Sequence, residues 1–183
     1  MNIIIIDFEA TCWRGHPEKS RNETEIIEIG LVVHETSCKI STGAFETFVR
    51  PSRNPELDKF CMELTGITQE KVECAPLFID AHNTMYNIFA SFGYPPWASW
   101  DDFDKRQWKR DCRWWELPDF TMRHINLKTV FNWQYKEKVG VVNALKFLGL
   151  EFEGTNHRAL ADAKNAARIC NHLDIEKFIK ENK

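Results

Sequence analysis

Near its amino end the chain carries four consecutive isoleucines, Ile3 to Ile6, followed at once by Asp7, Phe8 and Glu9. An unbroken β-branched run lacks the polar alternation of a half-solvated strand, so it predicts a strand buried on both faces. Burial on both faces needs helices above and below a sheet. The acids that end the run then fall at the carboxyl end of that strand, where open α/β sheets place their ligands.

The rest of the chain supplies the other elements. A polar stretch with Gly15 and Pro17 runs from Arg14 to Thr24, before strands over Glu25–Val33 and Ile40–Val49. Gly43 marks a bulge or bend in the latter. A short helix is expected around Leu57–Leu64, with Thr65-Gly66-Ile67-Thr68 as its stop and the next N-cap. Leu77–Phe92 reads as an amphipathic helix closed by Gly93 and Pro95-Pro96. Trp97–Trp100 reads as a strand, Asp104–Trp115 as a charged helix and Ile125–Leu127 as a strand. Helices follow at Thr129–Tyr135, Val141–Leu148 and Leu160–His172. Strands first, then strands alternating with helices, predict an α/β sheet with an antiparallel part made by the early hairpins. The 183 residues suit one domain, 1–183, and no repeat or linker divides them.

A net charge of −3 argues against simple coating of a polyanion, but not against an enzyme whose carboxylates gather cations. The six cysteines form no C-x-x-C pair, which argues against a zinc ribbon and for reduced thiols in or near a core. The amino end lacks the basic region of a signal peptide and no apolar run is long enough to span a membrane, so a cytoplasmic location is expected.

Three segments carry candidate chemistry. Asp7 and Glu9, two apart on a strand, share one face. Their mutual repulsion calls for a proton or a hard divalent cation such as Mg²⁺ or Mn²⁺. Asp101, Asp102 and Asp104 follow the strand Trp97–Trp100, where they suit either helix capping or a third carboxylate beside Asp7. Asp162 shares a helix stripe with Ala159, Ala163, Ala166 and Ile169, an inward position that demands partners or a cation. His157 precedes that helix and, if solvated, suits proton transfer near neutral pH.

Four acids in three distant segments, with one late histidine, occur in a known order. The chain resembles the DEDDh 3′→5′ exonucleases, a family with an RNase H-like fold. The D-x-E motif stands at Asp7-Phe8-Glu9 and the H-x-x-x-x-D motif at His157 to Asp162. More narrowly, it is similar to the branch that trims histone mRNA ends and degrades small interfering RNA. The similarity lies in D-F-E-A-T-C at 7–12, E-I-I-E-I-G at 25–30, F-C-x-x-L-T-G-I-T-Q at 60–69 and S-W-D-D-F-D at 99–104. Two positions depart from the branch: Asp101 stands where Gly is usual, and Ala161 where a second Asp is common.

The resemblance implies a mixed five-stranded sheet, part antiparallel hairpin and part parallel, flanked by helices. It implies two divalent metal ions, Mg²⁺ or Mn²⁺, with Asp7 bridging them, Glu9 and Asp162 completing one site and Asp104 holding the other. Asp101 or Asp102 remains open as an aid to Asp104 or its replacement. His157 would take the proton from the attacking water, and the product would be a nucleoside 5′-monophosphate. The backbone at Ala10 and Thr11 and along Leu64, Thr65, Gly66 and Ile67 would surround the terminal nucleotide, with Leu64 as an apolar wedge against its base; Phe60 is a further contact unless it packs in the core. The partner is a nucleic acid with a free 3′ end, single-stranded RNA favoured over DNA, and no obligate protein partner is inferred. The sequence shows no counterpart of the amino-terminal nucleic-acid-binding module of some relatives, so their partner preferences need not transfer. A DNA-preferring exonuclease and a catalytically silent nucleic-acid-binding domain are the alternatives. The basic run Arg106, Lys109, Arg110 and Arg113, interleaved with Trp108, Trp114 and Trp115, fits either phosphate tracking and base stacking or a solvated helix with its indoles in the core.

Overall fold

The computed structural model describes residues 1–16, 18–19 and 23–182. Pro17 and residues 20–22 of the polar stretch therefore lie outside the described residues. Five strands, β1 (Asn2–Ala10), β2 (Ile26–Glu35), β3 (Ile40–Phe48), β4 (Trp97–Ser99) and β5 (His124–Asn126), form one sheet in the order β3-β2-β1-β4-β5. The β3-β2-β1 half is antiparallel, whereas β4 runs parallel to both β1 and β5. The mixed sheet expected from the sequence is present, with the isoleucine strand at its centre. Between Val33 and His34 the register with β3 slips by one residue, next to Gly43, so the expected bulge is there.

Central placement explains the isoleucine run. Ile3 and Ile5 pack with Val32, Leu127, Phe131, Ala163 and Ile169 on one face, while Ile4, Ile6 and Phe8 pack with Phe78, Met85, Phe89 and Trp108 on the other. The second face is covered by α3 (Phe78–Ser91) and α4 (Phe103–Trp114). The first is covered by α5 (Leu127–Tyr135), α6 (Val141–Phe147) and α7 (Ala159–Cys170). By the same alternation Asp7 and Glu9, in phase with Ile3 and Ile5, face α7. A smaller cluster of Ile27, Leu57, Cys61, Ile67 and Val72 seats α1 (Lys59–Thr65) and α2 (Gln69–Glu73) beside the end of β1.

The sequence reading missed the closing helix α8 (Ile175–Glu181). It is one short amphipathic segment anchored by Ile175 in the core and capped by Asp174, whose side chain accepts from Lys177 N–H at 3.0 Å. The thiol expectation needs one correction: Cys61, Cys112 and Cys170 are buried, but Cys38 and Cys74 are exposed, in a hairpin turn and at a helix end where nothing packs over them. No helix of the described residues is long and apolar enough to cross a membrane.

Candidate active site

The site is built around the approach of α7 to the central strands. Asp7 pairs across the ladder with Gly30 of β2, and Glu9 with Glu28. A Cβ at Gly30 would stand 2.2 Å from the backbone of Ala159 and Leu160, so only glycine lets the first turn of α7 lie on the sheet there. Glu28 then fixes that turn. It is 1% exposed, its Oε2 accepts from Ala159 N–H at 3.0 Å, and Arg158 donates to it through Nε and, at 2.7 Å, a terminal guanidinium nitrogen. This acid on a neighbouring strand satisfies an orphan helix N–H and complements the helix dipole. E-I-I-E-I-G was legible as a motif, but the positioning role of Glu28 was not.

With α7 so placed, Asp162 faces β1. Ligand-capable oxygens of Asp7, Glu9 and Asp162 all lie within 4.8 Å of one another. Asp162 Oδ2 is buried without a hydrogen-bond partner. The acids raise one another's affinity for protons. Burial first, then Asp104, Glu9 and Asp162, hold Asp7 well above the usual carboxylate range. Burial, followed by Asp162 and Glu28, pushes Glu9 up to about 8. Asp162 is raised chiefly by burial, with His157 opposing.

Asp104 sits in the first turn of α4, 4% exposed, and its Oδ1 accepts from Phe8 N–H at 2.9 Å. Burial carries it to about 7 against that hydrogen bond. The three acids of this segment therefore divide. Asp104 reaches β1 between Asp7 and Glu9, Asp101 accepts from Phe103 N–H at 2.6 Å, and Asp102 turns toward His124, 3.7 Å away. Capping and a third carboxylate were alternatives in sequence; here neighbouring residues do each.

Asp7, Glu9, Asp104, His157 and Asp162 line one cleft of about 450 Å³. His157 is exposed at its rim and takes a left-handed backbone (φ 61°) just ahead of α7. Trp100, Phe103, Asn143 and Asn156 also line the cleft and were given no role from sequence, although Trp100 and Phe103 stand in the S-W-D-D-F-D motif.

None of the seven nucleotide-contact candidates lines that cleft. Leu64 is 38% exposed, Gly66 is exposed at the end of α1, and Phe60 is half-buried beneath the Arg14 guanidinium rather than in the core. Ala10, Thr11, Thr65 and Ile67 are buried. The Thr11 hydroxyl accepts from Glu25 N–H, the Thr65 hydroxyl donates to the Cys61 carbonyl, and Ile67 packs in the small core cluster. The contact expected at these four is through the backbone, which their buried side chains hold in place beside the exposed Leu64 and half-buried Phe60.

A mutually repelling oxygen triad with no bonded cation and one orphan oxygen fits a hard divalent metal ion. The sheet order, the strand polarity and the acids gathered at the end of β1 define the RNase H-like fold of the DEDDh exonuclease class. The chain belongs to the RNase_T exonuclease family, whose model matches residues 4–170. It is 31% identical to ERI1 exoribonuclease 2 of Danio rerio over 93% of its own length and 34% of that protein. It is 33% identical to 3′-5′ exoribonuclease 1 of Mus musculus, over 91% of this chain and 51% of that one. The chain thus spans about a third to a half of such relatives. Among solved structures, the nuclease domain of 3′hExo, a DEDDh family member bound to rAMP, superposes with a TM-score of 0.86 at 29% identity, covering 99% of this chain and 92% of that one.

Proposed function

We propose that residues 1–183 act as a single metal-dependent 3′→5′ exonuclease domain that shortens single-stranded RNA from its free end and releases nucleoside 5′-monophosphates. One observation carries this reading: Asp7, Glu9 and Asp162 converge within 4.8 Å in a cleft that also holds Asp104 and His157. Its relatives' names as exoribonucleases support the choice of RNA.

Asp7, Glu9 and Asp162 would hold one divalent cation, and Asp104 with Asp7 a second, Mg²⁺ or Mn²⁺ by the preference of all-oxygen donor sets. Such ions, when bound, neutralise charge on the phosphate and acidify water. The chain's own groups do the rest. Phe8 N–H holds the Asp104 carboxylate toward β1, and Glu28 holds the first turn of α7, so the acids are fixed before substrate arrives. His157, open to solvent at the rim, takes a proton from the attacking water and passes it on. Phe103 and Leu64 offer apolar surface against which a terminal base can stack without being read. Six free cysteines and the lack of a spanning helix among the described residues suit work in the cytoplasm.

Digestion of matched 5′-labelled RNA and DNA oligonucleotides with Mg²⁺, Mn²⁺ or EDTA tests this. We expect ladders shortening from the 3′ end, RNA faster than DNA, and no cleavage in EDTA. Shortening from the 5′ end, or equal activity in EDTA, would overturn the assignment.

A further inference from the structure

Helix α4 buries Asp104, Gln107, Trp108, Asp111 and Cys112, one stripe at helical spacing. The opposite stripe is Arg106, Lys109, Arg110 and Arg113, at i, i+3, i+4 and i+7, hence on a single outward face. Arg106, Lys109 and Arg113 are exposed and make no ion pair among the described residues. This face begins beside the catalytic cleft. Arg106 lines a groove of about 320 Å³ with Lys128 and Lys138, and Asp101 lines both that groove and the cleft. Asp102 also lies in the groove, half-exposed and turned toward His124.

The other end of the face is aromatic. Trp114 is 57% exposed, and the Arg53 guanidinium stacks 4.6 Å from its ring centroid. Arg53 is itself held by Asp111 at 2.7 Å, so the stack is built rather than incidental. Arg110 and Arg113 line the hollow around it. From Arg106 to Arg113 the helix advances about 10 Å. A helix needing only solvation would have no reason to leave an indole open at the end of a basic stripe; Trp108, earlier in the same helix, is fully buried.

We infer that the outer face of α4, from the Arg106 groove to the Arg53–Trp114 stack, is a track for the single-stranded polynucleotide upstream of its 3′ end. The inference rests on the exonuclease reading. The cations meet successive phosphates, and Trp114 stacks a base, an arrangement that is tolerant of sequence. It explains how a chain of net charge −3 can hold a polyanion: the cations are gathered next to the cleft.

The test compares the full chain with R106A/K109A/R113A and, separately, W114A. Two substrates are used: a p-nitrophenyl ester of a nucleoside 5′-monophosphate, which reaches only the cleft, and an oligouridylate long enough to lie along α4. In EDTA, binding of the labelled oligouridylate is followed against salt. The triple variant should lose about 2 from the slope of log K against log salt, at about 0.7 for each phosphate no longer neutralised. W114A should weaken binding about tenfold, within the range of one base–aromatic stack, with the slope unchanged. Both should hydrolyse the ester like the parent chain, and the charge-retaining R106K/R113K should keep the parent slope. A triple variant that binds and shortens the oligouridylate like the parent, with the same slope, overturns the track and leaves the exonuclease reading standing. A parent chain inactive on both substrates with Mn²⁺ present removes the exonuclease reading itself.

Discussion

Asp162 Oδ2 is buried and makes no hydrogen bond among the described residues, while Asp7 and Glu9 crowd the same space. Each unpaired acid in such a place is costly, and their joint presence calls for protons or a cation to relieve it. Individual substitutions separate the cation from the proton transfer. Asp7→Asn removes the acid that burial first, then Asp104, Glu9 and Asp162, hold above the usual carboxylate range. It should abolish cleavage, stop divalent ions from raising the melting temperature, and leave the metal-free fold at least as stable at pH 8, because one repelling charge is gone. His157→Ala leaves all four acids in place. Turnover should fall by about 10²–10⁴, the usual contribution of a positioned acid–base group, with the metal-induced melting shift retained. Activity equal to the parent would remove His157 from the reaction; loss of the melting shift would make it a ligand.

At the scale of elements, the site depends on how closely α7 lies on β2. Gly30→Ala places a methyl 2.2 Å from two backbone atoms, and backbone cannot rotate aside as a side-chain tip can. The first turn of α7 must move, carrying His157 and Asp162 with it. We expect a loss of about 2–3 kcal/mol in urea unfolding, in the range of overpacking, and a larger proportional loss of activity than of stability. A Gly30→Ala variant within about 0.5 kcal/mol of the parent, the scatter of ordinary surface changes, would show that the helix yields freely. This approach of helix to strand also marks where the sequence stops being informative. The isoleucine run, the early hairpins and the Ala stripe of α7 were legible because burial patterns are local and periodic. The spacing of Asp7 and Glu9 was legible for the same reason. The partnership of Gly30 and Glu28 with residues about 130 positions away was not, since a glycine in a strand looks the same beside a helix as beside solvent. Nor could spacing choose among Asp101, Asp102 and Asp104; the choice is made by Phe8 N–H, across 96 residues.

For the whole molecule, the acid cluster links metal, pH and stability with a definite sign. Glu9 is carried from 4.5 to about 8 and Asp104 from 3.8 to about 7, in both cases chiefly by burial. A carboxyl raised in the folded state keeps its proton there after the unfolded chain has released it, so its contribution is full below the unfolded pKa and is lost as pH rises through the folded one. Other groups act at lower pH. His124 is lowered from 6.5 to about 4 by burial, and His34 is also lowered, so both favour the folded state as pH climbs toward 6.5 and add no further change above it. Glu25, lowered because its hydrogen bonds from the 52–54 backbone together outweigh burial, has likewise made its full contribution by then. Between pH 6.5 and 8.5 the fall comes chiefly from the site; the Cys112 and Cys170 thiols, raised by burial above 9.0, add to it only near the upper end. In EDTA the melting temperature should fall across this interval. Saturating Mn²⁺ or Mg²⁺ should reverse the fall, because the ion takes the place of the protons; at a hundred times its dissociation constant an ion adds about 2.7 kcal/mol, or about 5–10 °C for a chain of this size. The increment should shrink toward pH 6.5, where protons compete for the same oxygens. A melting temperature that is level across the interval in EDTA, and unmoved by either ion at pH 8.5, would mean that the four acids do not bind divalent cations.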